Sequence, residues 1–329
     1  MRTAVIGVGH LGRQHARLHA ILANEQQSDF VFLCDQNVET ARTIAEERNV
    51  PFTTDWRELI GQVDAVSLAV PTVSHCDIAC PLLEAGIHVL VEKPIARTLD
   101  EADLMIKAAA KGDALLQVGH LERFNPALVA LRPHVRNPVY FEIHRVGEFT
   151  ARSLDIDVVL DLMIHDLDVV QWLVGEEVEV TELHAVGIPI LTNKVDAANA
   201  RLEFSSGAVA NITASRVGTE KIRKMRFFQP HDYVAVDYTT KRASISSLAP
   251  PTADGTWPGV HVRNLDVIDV EPLRAEIASF FAAAQEGLPS PVSGTEGRNA
   301  LSLALRVLER IHEHGSRTQL GALSARPRS

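Results

Sequence analysis

Cysteine, long apolar runs and surplus positive charge are all scarce in this chain, and each shortage excludes a class of protein. The three cysteines are Cys34, Cys76 and Cys80. An odd, low count argues against a disulfide framework and for free thiols. Cys76 and Cys80 stand four apart on an expected helix and could share a metal. No further Cys/His pair lies at structural-zinc spacing, so buried small side chains are the better reading. No apolar run reaches the ~18 residues that cross a bilayer. The N-terminal stretch Thr3–Ile6 is too short for a signal peptide and reads as a strand, so a cytoplasmic protein is expected. Acidic residues outnumber basic ones 42 to 32, for a net charge of −10. That balance argues against bulk nucleic-acid or anionic-membrane partners. It leaves room for an anionic small molecule, which a few local arginines can hold. The basic end, Arg326-Pro327-Arg328-Ser329, reads as a frayed tail.

The chain of 329 residues exceeds what one hydrophobic core usually spans. Up to residue 120, strand-like and helix-like segments alternate. The strand-like ones (Thr3–Ile6, Phe30–Cys34, Ala65–Ala69, His88–Val91, Leu115–Val118) are apolar throughout, as strands covered on both faces should be. An α/β Rossmann domain over 1–120 is therefore expected. From about residue 138 the apolar residues alternate instead. A helix over Ile156–Val174 is followed by six β-like segments between Val180 and Ser246, then by helices over Glu271–Glu286 and Thr295–His314. This pattern predicts an α+β domain over 121–329 with a mainly antiparallel sheet. No internal repeat or low-complexity tract appears.

Gly7-Val8-Gly9-His10-Leu11-Gly12 follows the first strand and opens the first helix. In that context the glycines allow a tight turn, close approach of a pyrophosphate and close helix–strand packing. The helix N-terminus offers free N–H groups and partial positive charge to phosphates. Asp35 ends the second strand, about 20 residues beyond the last glycine, where a carboxylate can accept from ribose hydroxyls. It would repel a 2′-phosphate, and Gln36 and Asn37 bring no compensating charge. NAD is therefore favoured over NADP. A plain surface aspartate starting a turn is the competing reading.

Glu92-Lys93-Pro94 follows the strand His88–Val91, at the sheet edge where open α/β sheets bind ligands. Lys93 there can donate to a substrate hydroxyl or to the nicotinamide ribose. Spacing alone fits a solvated loop lysine as well. On the helix over Ile156–Val174, Asp161, His165 and Asp168 share one face at about 100° per residue. A carboxylate beside an imidazole raises its pKa and orients it, so His165 could take a hydroxyl proton. A core histidine satisfied by a neighbouring aspartate fits equally. Asp161 and His165 could also be two ligands of a metal, but no third ligand is evident and no metal is expected.

Together these motifs resemble the glucose-fructose oxidoreductase / inositol dehydrogenase (Gfo/Idh/MocA) family. The resemblance runs along essentially the whole chain. It rests on the Gly-rich turn, Ala69-Val70-Pro71-Thr72 with His75, Glu92-Lys93-Pro94, and Asp161-x-x-x-His165, in the family's order. It implies a Rossmann domain followed by an α+β domain whose large open sheet builds homodimers or homotetramers. It implies cofactor contacts at Gly7, Gly9, His10, Leu11, Gly12, Asp35, Ala69, Pro71, Thr72, His75, Glu92 and Lys93. Lys93, Asp161 and His165 would be catalytic, with His165 the base, and Asp168 would also meet substrate. The stretches Val118–Pro126 and Asp155–Asp168 are most similar to the UDP-N-acetylglucosamine 3-dehydrogenase-like branch. That branch oxidises the sugar 3-hydroxyl to a ketone for amination toward an amide-linked lipid A. His120, Arg123, Asn125 and Arg152 then join the expected substrate contacts, with Arg123, Arg145 and Arg152 as candidates for the diphosphate. Arg123 has a structural alternative, bonding backbone near Pro126. A dehydrogenase of a free sugar or inositol, and an NAD-sensing protein without turnover, are the alternatives to a nucleotide-sugar enzyme.

Overall fold

The computed structural model describes residues 1–148, 156–175, 177–251 and 258–318. It divides into two compact units: Met1–Leu121 with Val270–Leu301, and Glu122–Asp269 with the C-terminal segment from Ser302.

The first unit is built on a parallel sheet of β1 (Arg2–Ile6), β2 (Asp29–Cys34), β3 (Phe52–Thr53), β4 (Ala65–Leu68), β5 (His88–Glu92) and β6 (Leu116–Gly119). The strand order is β3-β2-β1-β4-β5-β6, with crossovers through helices α1 (Gly12–Asn24), α2 (Val38–Arg48), α3 (His75–Glu84) and α4 (Leu99–Lys111). All of β4 and β6 is buried, and apart from Ser67 and Gln117 their residues are apolar or glycine. Local chemistry sets the helix ends. Asn37 caps α2 by accepting from the Thr40 N–H, and Asn49 ends it in the left-handed region at φ 54°. Thr98 caps α4 by accepting from the Glu101 N–H, while Glu101 accepts from the Arg97 N–H. The order reverses direction between β1 and β4, and ligands of such sheets bind at that switch point, outside the carboxyl ends of the strands.

The sequence-based boundary needs correction at the C-terminal side. Residues 270–301 group with the first unit, because the helix over Pro272–Glu286 carries Leu273, Ile277, Phe280 and Phe281 into a core with Leu18, Leu22, Ala65 and Leu90. Each such side chain stabilises by roughly 1.5–3 kcal/mol when fully buried. Phe281 also meets the buried His19 ring edge-on, with centroids 5.0 Å apart.

The second unit holds an eight-stranded sheet: β7 (Tyr140–Glu148), β8 (Val180–Ile188), β9 (Ala197–Phe204), β10 (Val209–Gly218), β11 (Ile222–Gln229), β12 (Asp232–Asp237), β13 (Arg242–Pro251) and β14 (Pro258–Asn264). Their order is β14-β13-β12-β11-β7-β10-β9-β8. Every pairing is antiparallel except β7 with β10. Buried and exposed residues alternate along β8, β9 and β11, so one face packs and the other does not. Short α5 (Pro126–Leu131) and α6 (Ile164–Val174) precede β8 in sequence. The remaining helices are α7 (Pro272–Glu286) and α8 (Gly294–Thr318).

The single helix expected over Ile156–Val174 is two elements. Val159–Met163 is a π-helical turn, and only from Ile164 does regular α-helix run, to Gly175 at φ 120°. Among the described residues no helix is long and apolar enough to cross a membrane.

Candidate active site

The Gly-rich turn is forced by close contacts. Gly7 lies at φ 83°, and a Cβ there would stand 2.6 Å from the Ala69 carbonyl oxygen. At Gly12 a Cβ would stand 1.8 Å from the Gly7 carbonyl oxygen, so only glycine lets α1 begin so near β1. Gly9 is different: a Cβ there would meet nothing within 4 Å. Its missing side chain leaves open space above the turn, the room a pyrophosphate needs at a helix N-terminus. His10 and Leu11 lie exposed just before α1.

Asp35 is anchored to this turn. Its Oδ2 accepts from the Val8 N–H at 2.7 Å and its Oδ1 from the Asn37 N–H at 2.8 Å. A cavity of about 250 Å³ is lined by Gly7, Gly9, Asp35, Pro71 and Ala69, and also by Trp56. Trp56 was missed in the sequence, since it follows a two-residue strand with no periodicity to mark it. Thr72 is half-buried next to Pro71, in the short turn leading to α3. Open space over Gly9, a fixed carboxylate at the β2 end and no arginine among the lining residues all fit an NAD nucleotide.

Two expected cofactor contacts, His75 and Glu92, are buried and paired within the protein. His75 is buried, its Nε2 lies 3.0 Å from the Val70 carbonyl, and its Nδ1 lies 3.1 Å from those of both Pro94 and Ile95. It fastens the loop after β4 to the loop after β5. Burial pulls its pKa down, against the upward pull of the carbonyls of Val70, Ile95 and Pro94. Glu92 is also buried, and its Oε1 pairs with His15 Nε2 at 2.9 Å. The adjacent Lys93 is half-buried at the carboxyl end of β5. His15 carried no sequence signal, being one of two histidines on an ordinary amphipathic helix.

In the second unit, Asp161 lies within the π turn and His165 in the first turn of α6, both half-buried. Single π turns recur at functional sites. Asp168 does not join them at the surface. It is buried and takes both Nε and Nη2 of Arg123, at 2.9 and 2.7 Å. Asp166 does the same for Arg145, at 2.7 and 2.8 Å, and Arg145 also reaches Glu122 at 2.8 Å. Trp172 faces Arg123 and Arg132, with ring centroids 5.5 and 5.2 Å from the guanidinium carbons. Arg123, Arg145 and Asp168 are thus held in buried ion pairs. Asn125 is likewise structural: it caps α5 through the Ala127 N–H and donates to Glu122 and to the Tyr238 carbonyl. His120 is buried in the first unit, after β6. Arg152 lies outside the described residues. Among the described residues no group of three or more His, Cys, Asp or Glu could hold a metal ion.

A six-stranded parallel sheet with this turn and this aspartate defines an NAD-binding Rossmann domain. The comparisons agree. Residues 1–120 match an oxidoreductase family with an NAD-binding Rossmann fold, and residues 127–228 match the GFO/IDH/MocA C-terminal domain. The UDP-N-acetylglucosamine 3-dehydrogenase of Acidithiobacillus ferrooxidans is 39% identical over 308 residues, spanning 93% of this chain and 96% of that protein. A solved structure of that enzyme superposes with a TM-score of 0.87 at 38% identity, covering 94% of this chain and 97% of that one. Inositol 2-dehydrogenase 2 of Paenarthrobacter aurescens is 28% identical over 97% of this chain and 98% of its own length. The chain belongs to the Gfo/Idh/MocA family, and it is an oxidoreductase acting on CH–OH groups.

Proposed function

We propose that the enzyme oxidises a secondary hydroxyl of a nucleotide sugar, namely the 3-hydroxyl of UDP-N-acetylglucosamine. The observation that carries this reading is 39% identity with an enzyme of that name across nearly the full length of both chains. Bound NAD supplies the hydride acceptor. Lys93 donates to the reacting hydroxyl and holds its oxygen, Asp161 orients the sugar, and His165 takes the hydroxyl proton as the carbinol becomes a ketone. The half-buried settings of Asp161 and His165, beside the spent carboxylates of Asp166 and Asp168, support these roles.

NADH formation with UDP-N-acetylglucosamine tests the reading, with wild type set against Lys93→Ala and His165→Ala. Full activity in both variants overturns the assigned roles. Turnover of a free polyol without turnover of UDP sugars would favour the second reading, an inositol or free-sugar dehydrogenase, for which the likeness to inositol 2-dehydrogenase 2 speaks. We also propose a homodimer or homotetramer. Val186, Ile188, Phe228, Leu248, Val260 and Val262 are exposed apolar residues of the eight-stranded sheet, the kind of surface that oligomers cover.

A further inference from the structure

The packed face of the eight-stranded sheet is apolar in two successive rows and polar in the third. Across β10, β7, β11 and β12 the first row is Ala210, Phe141, Phe227 and Val234, and the second is Ile212, Ile143, Met225 and Val236. The third is Ala214, Arg145 and Arg223, followed by Tyr238, whose N–H donates to the Arg223 carbonyl at 3.0 Å. Arg145 and Arg223 stand directly opposite each other in register. Like charges in that position repel.

Only one of the two is neutralised. Arg145 has Asp166 and Glu122, and the neighbouring Arg123 has Asp168. Among the described residues no side chain makes a hydrogen bond or ion pair with the Arg223 guanidinium, although it is partly withdrawn from water. Burial and the Arg145 charge both weigh against its charged form. The carboxylates of Glu122, Asp166 and Asp161 act on it only from a distance. A guanidinium held this way wants an anion, and its planar fork matches two oxygens of a phosphate. Asp161 is the proposed sugar-orienting residue, so an anion held at Arg223 would belong to the same ligand.

We infer that Arg223 is the anchor for a phosphate of the substrate's diphosphate. This rests on the nucleotide-sugar reading above. It replaces Arg123 and Arg145, whose donors are committed to core carboxylates, as the cation that selects a charged substrate over a free sugar.

The test is steady-state kinetics with UDP-N-acetylglucosamine, NAD being saturating so that the Gly-rich turn is filled. Arg223→Gln should raise the substrate KM and the inhibition constant of UDP by about ten- to a hundredfold, the loss of a hydrogen bond to a charged group. Its kcat should stay within about twofold and its KM for NAD should not change. Arg223→Lys should recover part of the loss. An Arg223→Gln enzyme that melts like wild type and keeps both constants overturns the proposal. Should Arg223→Gln fail to fold, Arg223→Lys decides: a raised KM at unchanged kcat supports the anchor, and an unchanged KM overturns it. If the wild type turns over a free polyol and no UDP sugar, it is the nucleotide-sugar reading that fails. Binding of inorganic pyrophosphate to the NAD-saturated enzyme then judges Arg223 alone: binding weakened in Arg223→Gln upholds an anion site, and equal binding refutes it.

Discussion

Glu276 on α7 is fully buried, and neither carboxylate oxygen has a hydrogen-bond partner among the described residues. Burial first, and then the charge of Glu92, push its carboxyl well above the usual range. Glu92 goes the other way. Burial pushes it up too, but the His15 hydrogen bond and the charges of His15 and Lys93 outweigh that and hold it low. Above pH 4.5 there is therefore a range in which the first unit carries an ionised Glu92 and a protonated Glu276. In the unfolded chain Glu276 titrates near 4.5, so above that pH the native state holds one proton more than the unfolded state. Stability then falls by about 1.4 kcal/mol per pH unit until Glu276 itself ionises in the folded protein. Glu276→Gln replaces the neutral acid by an amide of nearly the same shape and removes this dependence. The stability difference between variant and wild type should widen in the variant's favour by about 2.7 kcal/mol over two pH units above 4.5, wherever Glu276 is still protonated. Other titrating groups are common to both proteins and cancel in the difference. Denaturant unfolding of both at pH 5, 6, 7 and 8 measures it, and a difference that stays constant or shrinks as pH rises refutes the assignment.

Gly9→Ala should fold with an unchanged melting temperature yet lose NAD affinity, because the new methyl meets only the space reserved for ligand. Gly12→Ala should fail to fold, its methyl landing on the Gly7 carbonyl; calorimetry and NAD titration separate the two outcomes. Asp35→Asn should weaken NAD binding, and Asp35→Ser with Gln36→Arg should shift preference toward NADP, as read by titrating both cofactors. Asp168→Ala removes the bidentate carboxylate from the buried Arg123 guanidinium and should cost roughly 3–5 kcal/mol in unfolding free energy, while leaving the substrate KM of the folded fraction unchanged. His75→Ala should weaken NAD binding while the Gly-rich turn stays intact, since it frees the loops after β4 and β5 from each other.

The features legible in the sequence are those whose cause is local. Gly7, Gly9 and Gly12 lie within one turn, and their order after an apolar strand is enough to assign them. The inner strands of the first unit are mostly apolar because they are buried, a property that most of their residues display by themselves. His15 with Glu92, and Glu276 above them, are different in kind. Residues far apart in the chain meet only after folding, and no spacing announces it. The same holds for α7: its amphipathic pattern predicts a helix, but not that Phe280 and Phe281 complete the core of the first unit. The π turn at Val159–Met163 was hidden because one inserted residue leaves the apolar composition unchanged while shifting every later side chain around the axis.

The expected stripe of Asp161, His165 and Asp168 is not a single exposed face. A uniform helix would set all three on one side. In the folded chain Asp166 and Asp168 turn inward to Arg145 and Arg123, and Asp161 and His165 remain partly exposed. The inward pairs fix where the helix sits, since a buried bidentate pair tolerates little displacement of either partner. Their contribution is thus to position the two groups that they leave at the surface. The same reasoning covers the sheet beneath: Arg145 is held by carboxylates on two elements, and among the described residues the opposed Arg223 has none. A structural role for Arg223 would have called for a carboxylate or an apolar side chain in that row. The cation therefore makes physical sense when an anion arrives with the substrate.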